Sequence, residues 1–402
     1  LIRTASATGD TLYLTGDFNA TTPIEVIGAS QKNLNVNGNA INVSTSSTGA
    51  WSGVIQYNAP SFSLPNFSQL TWNSINALPE LQPTYDDSAW VSADHKTSTN
   101  PYRNLTTPTS LYTSDYGFHA GAVLYRGHFV ATGSETTLSV YTQGGGAFAV
   151  SAWLNGTSIG QFPGTGYSGD YNGTYNLGKL TKGNPYVITI VMDNTGYDEN
   201  WWCGADAMKN PHGILDYTFA GRSASDITWK ITGNLGGESY VDKTRGPMNE
   251  GGLYPERNGW HQPNPPTSGW STSSPMTGLS QAGVQFYTTT FHLAMPSGWD
   301  IPLYFTFPKI DFSQSYRVQL YVNGYQFGKY AINIGPQFQF PVPQGILNYS
   351  GSNTVALILW APNDGGGKIS SFSLTAGTPV MTALKNLALV PMPAYTKRPG
   401  AY

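Results

Sequence analysis

A long stretch of strand-period alternation occurs twice in this chain, and that repeat limits the possible folds more than any other feature. FAVSAWLNGTSIGQF (148–162) is answered by YRVQLYVNGYQFGKY (316–330), setting Trp153, Leu154, Asn155 and Gly156 against Tyr321, Val322, Asn323 and Gly324 at an offset of 168. AVLYRGHFVA (122–131) is answered by VQFYTTTFHL (284–293), and PYVITIVMDN (185–194) by NTVALILWAP (353–362), again at an offset of 168. Side chains two apart share a face of a strand, so Phe148, Val150, Ala152 and Leu154 form one apolar face and Tyr316, Val318, Leu320 and Val322 its counterpart. Those faces are the expected core, with Leu154 and Val322 more buried than Trp153 and Tyr321. Asn-Gly between two alternating runs is a hairpin turn. Tyr186, Ile188, Ile190 and Met192 share a strand whose other face, Val187, Thr189 and Val191, is nearly as apolar, as burial between two layers requires.

Composition agrees with strands. Only 11% of the 402 residues are charged, against roughly 25% in an ordinary domain. Glycine (46) and tyrosine (25) are abundant, in keeping with strands and turns rather than charged helical faces. The expected fold is all-β: a small β-sandwich followed by two homologous antiparallel jelly rolls. The boundaries read from punctuation are 1–60 for the small unit, 61–84 for a proline-rich connector, and 85–225 for the first jelly roll. A charged connector (226–264), the second jelly roll (265–378) and a C-terminal extension (379–402) follow. A net charge of −3 without a basic stripe excludes nucleic acid as a partner. No run reaches the 18 apolar residues of a membrane span. The opening LIRTASATGD, without initiator Met or apolar leader, reads as a processed chain, an engineered piece or a proteolytic product.

The candidate chemistry is sparse. Six histidines, His95, His119, His128, His212, His261 and His292, lack ligand spacing, so structural roles are expected and neither metal nor cofactor. Cys203, without a partner in the chain, is a buried thiol or pairs with another chain. The adjacent Asp198 and Glu199 point to opposite faces in a strand and do not flank a sugar; Glu250 and Glu256 are better spaced, with Arg245 and Arg257 nearby for local ion pairs. Trp201 and Trp202 in a polar loop suit either packing against a neighbouring domain or contact with the C–H face of a sugar. Seven Asn-x-Ser/Thr sequons, at Asn19, Asn42, Asn66, Asn104, Asn155, Asn172 and Asn348, are no more than chance gives in so polar a chain. Asn155 in its turn and Asn172 in GDYNGTY, read as a loop, are the best placed for glycans in a secreted protein.

Longer motifs point to a family. RGPMNEGGLYPERNGWHQPNPP (245–266), DYGFHAGAVLYRGHF (115–129), GYDENWW (196–202), MKNPHGIL (208–215) and the terminal KRPGAY closely resemble the carboxyl-terminal part of fungal secreted β-galactosidases of glycoside hydrolase family thirty-five. The resemblance covers essentially the whole chain. It implies an N-terminal (β/α)8 barrel with two catalytic glutamates in a retaining mechanism. None of the barrel motifs occurs here, so no catalytic residue is carried over. What the resemblance implies instead is a non-catalytic portion whose partner is the barrel chain, whose complete form hydrolyses terminal β-galactosides such as lactose, and whose DENW segment extends Trp201 towards the aglycone side. A free carbohydrate-binding module and a purely structural scaffold are the alternatives.

Overall fold

The computed structural model describes residues 1–196, 210–234, 251–385 and 387. Seven strands form the small sandwich: β1 (Ile2–Thr8), β2 (Thr11–Gly16), β3 (Thr22–Val26), β4 (Asn33–Val36), β5 (Asn39–Ile41), β6 (Val43–Thr45) and β7 (Trp51–Ile55). Its sheets, β1-β2-β4-β5 and β3-β7-β6, enclose Leu14, Phe18, Leu34, Val36, Trp51 and Ile55. β8 (Asn73–Asn76) follows.

The first jelly roll contains β9 (Val91–Ser92), β10 (Gly121–Val130), β11 (Thr137–Gln143), β12 (Val150–Leu154), β13 (Thr157–Phe162), β14 (Asp170–Asn176), β15 (Pro185–Asn194), β16 (Gly213–Phe219) and β17 (Thr228–Thr232). After a one-turn helix, α1 (Tyr254–Arg257), come β18 (Ser271–Thr272), β19 (Gly283–Ala294), β20 (Trp299–Asp300), β21 (Leu303–Thr306), β22 (Arg317–Val322), β23 (Tyr325–Ala331), β24 (Gln339–Val342), β25 (Ser350–Ala361), β26 (Ser373–Ala376) and β27 (Val380–Met381). The large sheets run β13-β12-β15-β10-β17-β9 and β23-β22-β25-β19-β8-β18, and the small sheets β14-β11-β16 and β24-β21-β26. The two jelly rolls therefore correspond strand for strand.

The turn asparagines show why the repeat is so regular. Asn155 and Asn323 adopt φ of 47° and 48°, each followed by a glycine at positive φ, the backbone that an Asn-Gly hairpin turn requires. Each side chain then accepts a hydrogen bond from the next strand, Asn155 Oδ1 from Val187 N (2.8 Å) and Asn323 Oδ1 from Thr354 N (2.8 Å). The separations, 32 and 31 residues, differ by one. β15 and β25 therefore correspond at an offset of 167 rather than 168: Ile188 pairs with Leu154 as Val355 pairs with Val322. The single residue matters because a slip of one exchanges the faces of a strand. Ile188, Ile190 and Met192 lie in the first core with Val150 and Leu154, and Val355, Leu357 and Leu359 in the second with Val318 and Val322.

Two expectations need correction. Trp153 (1% exposed) is more buried than Leu154 (7%), and Tyr321 equals Val322 at 0%. The cause is a third core between the large sheets, where Trp153, Leu124, Val191 and Leu78 meet Tyr321, Phe286, Ala356, Ile358 and Trp360. Both faces of each large sheet are thus buried.

The segment 61–84, read from its prolines as a surface connector, supplies β8, which pairs with β19 (Phe286 opposite Ile75), together with Phe67 and Trp72 in the second core. β8 occupies the place that β17 holds beside β10. Likewise β17 lies inside the segment 226–264 set aside as a connector, and β27, in the C-terminal extension, pairs with β20 and bridges Phe18 of the small sandwich through Met381. The second jelly roll is closed by a strand from before the first.

This nesting has a consequence for fragments. Residues 265–378 lack β8, Phe67 and Trp72, and should fail to give a folded circular-dichroism and NMR signature. In the whole chain Trp72→Ala should cost about 3–5 kcal/mol in denaturant unfolding, the usual loss for a buried aromatic.

Candidate functional site

Apart from Glu135 with its partner Arg222, the buried charged side chains among the described residues gather where the jelly rolls meet. Before each large sheet runs a covering segment that carries a tryptophan, Trp90 or Trp270, into the shared core or against it. The first segment is pinned to β10 by the fully buried Arg126, which donates to Tyr85 O (3.0 Å) and Gln82 O (2.9 Å) and pairs with Asp87. His128 Nε2 lies 2.7 Å from the same carboxylate. The second segment enters at Gly252, whose backbone presses so closely on the Ala122 carbonyl that no side chain fits. Glu256 Oε2 accepts from Gly252 N (2.8 Å) and Leu253 N (2.9 Å), while Tyr321 donates its hydroxyl to Oε1. Arg257 pairs with Glu80, tying the covering segments together; burial pulls its guanidinium down to about 10, still charged at neutral pH.

A second ionic link crosses the junction. Asp193, on β15, receives Arg317 Nη1 (3.0 Å) and Lys329 Nζ (2.6 Å) from the second jelly roll, and Arg317 Nη2 also donates to Phe148 O (3.1 Å) and Pro163 O (3.0 Å). Burial alone would raise the Asp193 pKa, but Lys329 and Arg317 outweigh it and hold the carboxyl below its ordinary value. Between these links lies a cavity of about 40 Å3 lined by Asp193, Glu256, Arg317, Gln319 and Lys329, room for water rather than for a sugar.

The neighbouring residue turns the other way. Asn194 Oδ1 lies 2.8 Å from His212 Nδ1 and accepts from Gly196 N (3.1 Å), while Thr113 N donates to His212 O (2.8 Å). The two ends of segment 195–211 are thereby held together at a buried point, next to Asp193.

Trp201 and Trp202 lie in that segment; with Cys203, Asp198, Glu199, Arg245 and Glu250 they fall outside the described residues. Glu256 is held as an anchor of the second covering segment, with both carboxylate oxygens accepting hydrogen bonds. Among the described residues no group of three His, Cys, Asp or Glu is placed to hold a metal. Asn19, Asn42, Asn66, Asn104, Asn172 and Asn348 are exposed, but Asn172 stands on β14 rather than in a loop. Asn155 is half-buried, with Gly156 packed near Leu81 O. Sequence reasoning missed the junction residues Asp193 and Arg317, each embedded in an apolar strand. A charge inside such a run was the available signal.

Comparison with known proteins follows this architecture. The family described as "Beta-galactosidase second all-beta domain" matches residues 85–198 and 254–365, one match on each jelly roll, and "Beta-galactosidase, domain 3" matches 1–52. Beta-galactosidase A of Aspergillus niger is 55% identical over 404 aligned residues, covering 100% of this chain. The chain belongs to the fungal β-galactosidase family. A probable β-galactosidase A of Neosartorya fischeri (56%) and β-galactosidase A of a Penicillium species (53%) are likewise matched over the whole chain. The chain spans 40% of the length of each of these relatives. A Bacteroides uniformis β-glucuronidase structure aligns over 80% of the chain and 28% of its own, at 11% identity and a TM-score of 0.23, too low to bear on either fold or function.

The Asp193 link gives this family member a measurable pH signature. Because the folded carboxyl is held below its ordinary value of about 3.9, its contribution is complete above that pH and is lost as pH falls through the folded value. Asp193→Ala should cost about 3–5 kcal/mol at pH 7 by leaving the buried Arg317 guanidinium, and the partly exposed Lys329, without their carboxylate. The difference in melting temperature between wild type and Asp193→Asn should shrink below about pH 4.

Proposed function

We propose that this chain is the non-catalytic β-domain portion of an extracellular, retaining β-galactosidase that hydrolyses terminal β-galactosides such as lactose. On this reading the two catalytic glutamates sit on a (β/α)8 barrel outside the chain, which is its partner. The observation that carries the proposal is the whole-chain identity to β-galactosidases that are two and a half times as long. The chemistry of the described residues supports it. Retaining glycoside hydrolysis needs two carboxyl groups about 5–5.5 Å apart across a bond, one protonated and one free to attack. Each buried carboxylate here is already committed: Glu80 to Arg257, Asp193 to Arg317 and Lys329, and Glu256 to two backbone amides and Tyr321. Glu135 accepts from Thr132 and Gly133 and pairs with Arg222; burial raises its pKa but these bonds outweigh it, leaving it at about 2.

Trp201, in the segment rooted at Asn194 and His212, is proposed as a platform at the aglycone side of the substrate. The six exposed sequons, Asn19, Asn42, Asn66, Asn104, Asn172 and Asn348, are the proposed N-glycan positions, with Asn155 the least accommodating because its turn is packed.

Recombinant residues 1–402 should not turn over a chromogenic galactoside, whereas the complete enzyme should; turnover by the chain alone would end the proposal. In the complete enzyme Trp201→Ala should raise KM for lactose severalfold, the effect of losing about 1 kcal/mol of stacking, and leave most of kcat. Unchanged kinetics on both lactose and a nitrophenyl galactoside would remove the platform role.

A further inference from the structure

The outer face of the second large sheet changes character along its strands. At the junction it presents Phe286, Ala356, Ile358 and Trp360 to the shared core. Two residues away the same face carries hydroxyls and an amide: Thr288 and Thr290 on β19, Thr354 on β25 and Asn73 on β8. Alternation places them there, since Tyr287, Phe291 and Val355 face the inner core. The register sets Thr290 opposite Thr354 and Thr288 opposite Asn73. Here the covering segment does not close on the sheet. Asn264, Pro265 and Thr267 stand across an open cleft of about 480 Å3, and none of the residues lining it is charged.

The first jelly roll shows what these positions do when they are structural. By register, Arg126, His128 and Lys230 are the counterparts of Thr288, Thr290 and Asn73. All three fasten the first covering segment: Arg126 through Gln82 O, Tyr85 O and Asp87, His128 through Asp87, and Lys230 Nζ through Trp90 O (3.4 Å). The second set does not reach its covering segment. Thr288 donates to Val355 O (3.2 Å) within the sheet. The hydroxyls of Thr290 and Thr354 and the side-chain amides of Asn73 and Asn264 make no hydrogen bond among the described residues. Thr354 is only 6% exposed, and its hydroxyl opens into the cleft. A polar group so deep is normally paired. Its counterpart in the first jelly roll is Val187, so the fold itself has no need of that hydroxyl. Asn264 adds backbone strain: of the described non-glycine residues at positive φ, it alone (62°) is not followed by glycine. Such strain gathers at ligand clamps.

We infer that this cleft binds a short neutral saccharide. Its volume lies in the range of about 300–1,000 Å3 usual for small-molecule sites. A carboxylate or phosphate ligand would find no cation in the lining. An apolar ligand would strand the unpaired hydroxyls and amides. A peptide strand would find no backbone edge, because β8, β19 and β25 each have a neighbour on both sides. A sugar matches all three constraints: its hydroxyls donate and accept, as threonine and asparagine side chains require, and its C–H groups meet the threonine methyls and Pro265. The inference does not depend on the proposed function, since every residue it uses belongs to this chain.

NMR of the chain labelled at its threonine methyl groups, titrated with lactose as a neutral disaccharide, tests it. The signals of Thr288, Thr290 and Thr354 should shift saturably at millimolar lactose, while those of Thr142 and Thr189 in the first jelly roll stay in place. Thr290→Val together with Thr354→Val should weaken binding at least about tenfold, the effect of losing two hydrogen bonds. The unfolding midpoint of that variant should be unchanged or raised, because neither hydroxyl is bonded within the described protein. A lowered midpoint would make the hydroxyls structural and overturn the inference. So would an absence of saturable shifts at the three threonines, shifts confined to other parts of the chain, or a double variant that binds lactose as tightly as the wild type.

Discussion

The contact between the outer faces of the two six-stranded sheets is the constraint on which the rest of the structure depends. A sheet of a sandwich ordinarily buries one face and wets the other. Here Trp153, Leu124 and Val191 on one side and Tyr321, Phe286, Ile358 and Trp360 on the other remove both outer faces from water. This explains why strands such as β15 and β25 are apolar on consecutive residues, and why the charge content of the chain is low. It also explains the two covering segments: each closes the part of an outer face that the opposite sheet does not reach.

Hydrophobic burial supplies the affinity of the two halves, but it is non-directional and leaves their setting undetermined. The ionic links do that work. Asp193 between Arg317 and Lys329, and Glu80 with Arg257, place opposite charges where only one arrangement satisfies both. Desolvation makes such pairs weak contributors to net stability, while any misalignment strands a buried charge at a cost of several kcal/mol. The next residue after Asp193, Asn194, is bound to His212 and fixes the root of the Trp201 segment. The position from which that segment departs is therefore set by the same strand that locks the jelly rolls together.

Much of this was legible in the sequence, and the failures have a common cause. The repeat, the Asn-Gly corners and the inner faces could be read because they are local, set by the two-residue period and by turn chemistry. The one-residue slip between β15 and β25 escaped because an ungapped alignment cannot see a loop shortened by one. The burial order of Trp153 and Leu154 was inverted because alternation identifies two faces and does not say how many are covered. β8 was taken for a connector because four residues, NSIN, carry no strand signal; Phe286 and Tyr287 across the ladder make the strand. Among candidate site residues, Glu256 was legible as a carboxylate in a charged segment, but its role depends on Gly252, Leu253 and Tyr321, and a hydroxyl 65 residues away leaves no local trace.

The central claim is that the two jelly rolls are one nested folding unit sharing a core rather than two domains on a string. Urea unfolding followed by two fluorinated tryptophans, Trp229 in the first core and Trp72 in the second, tests it most directly. A nested unit gives coincident midpoints and equal slopes at both probes, and Asp193→Ala shifts the two midpoints together. Separate transitions, with Asp193→Ala moving only the first, would contradict it.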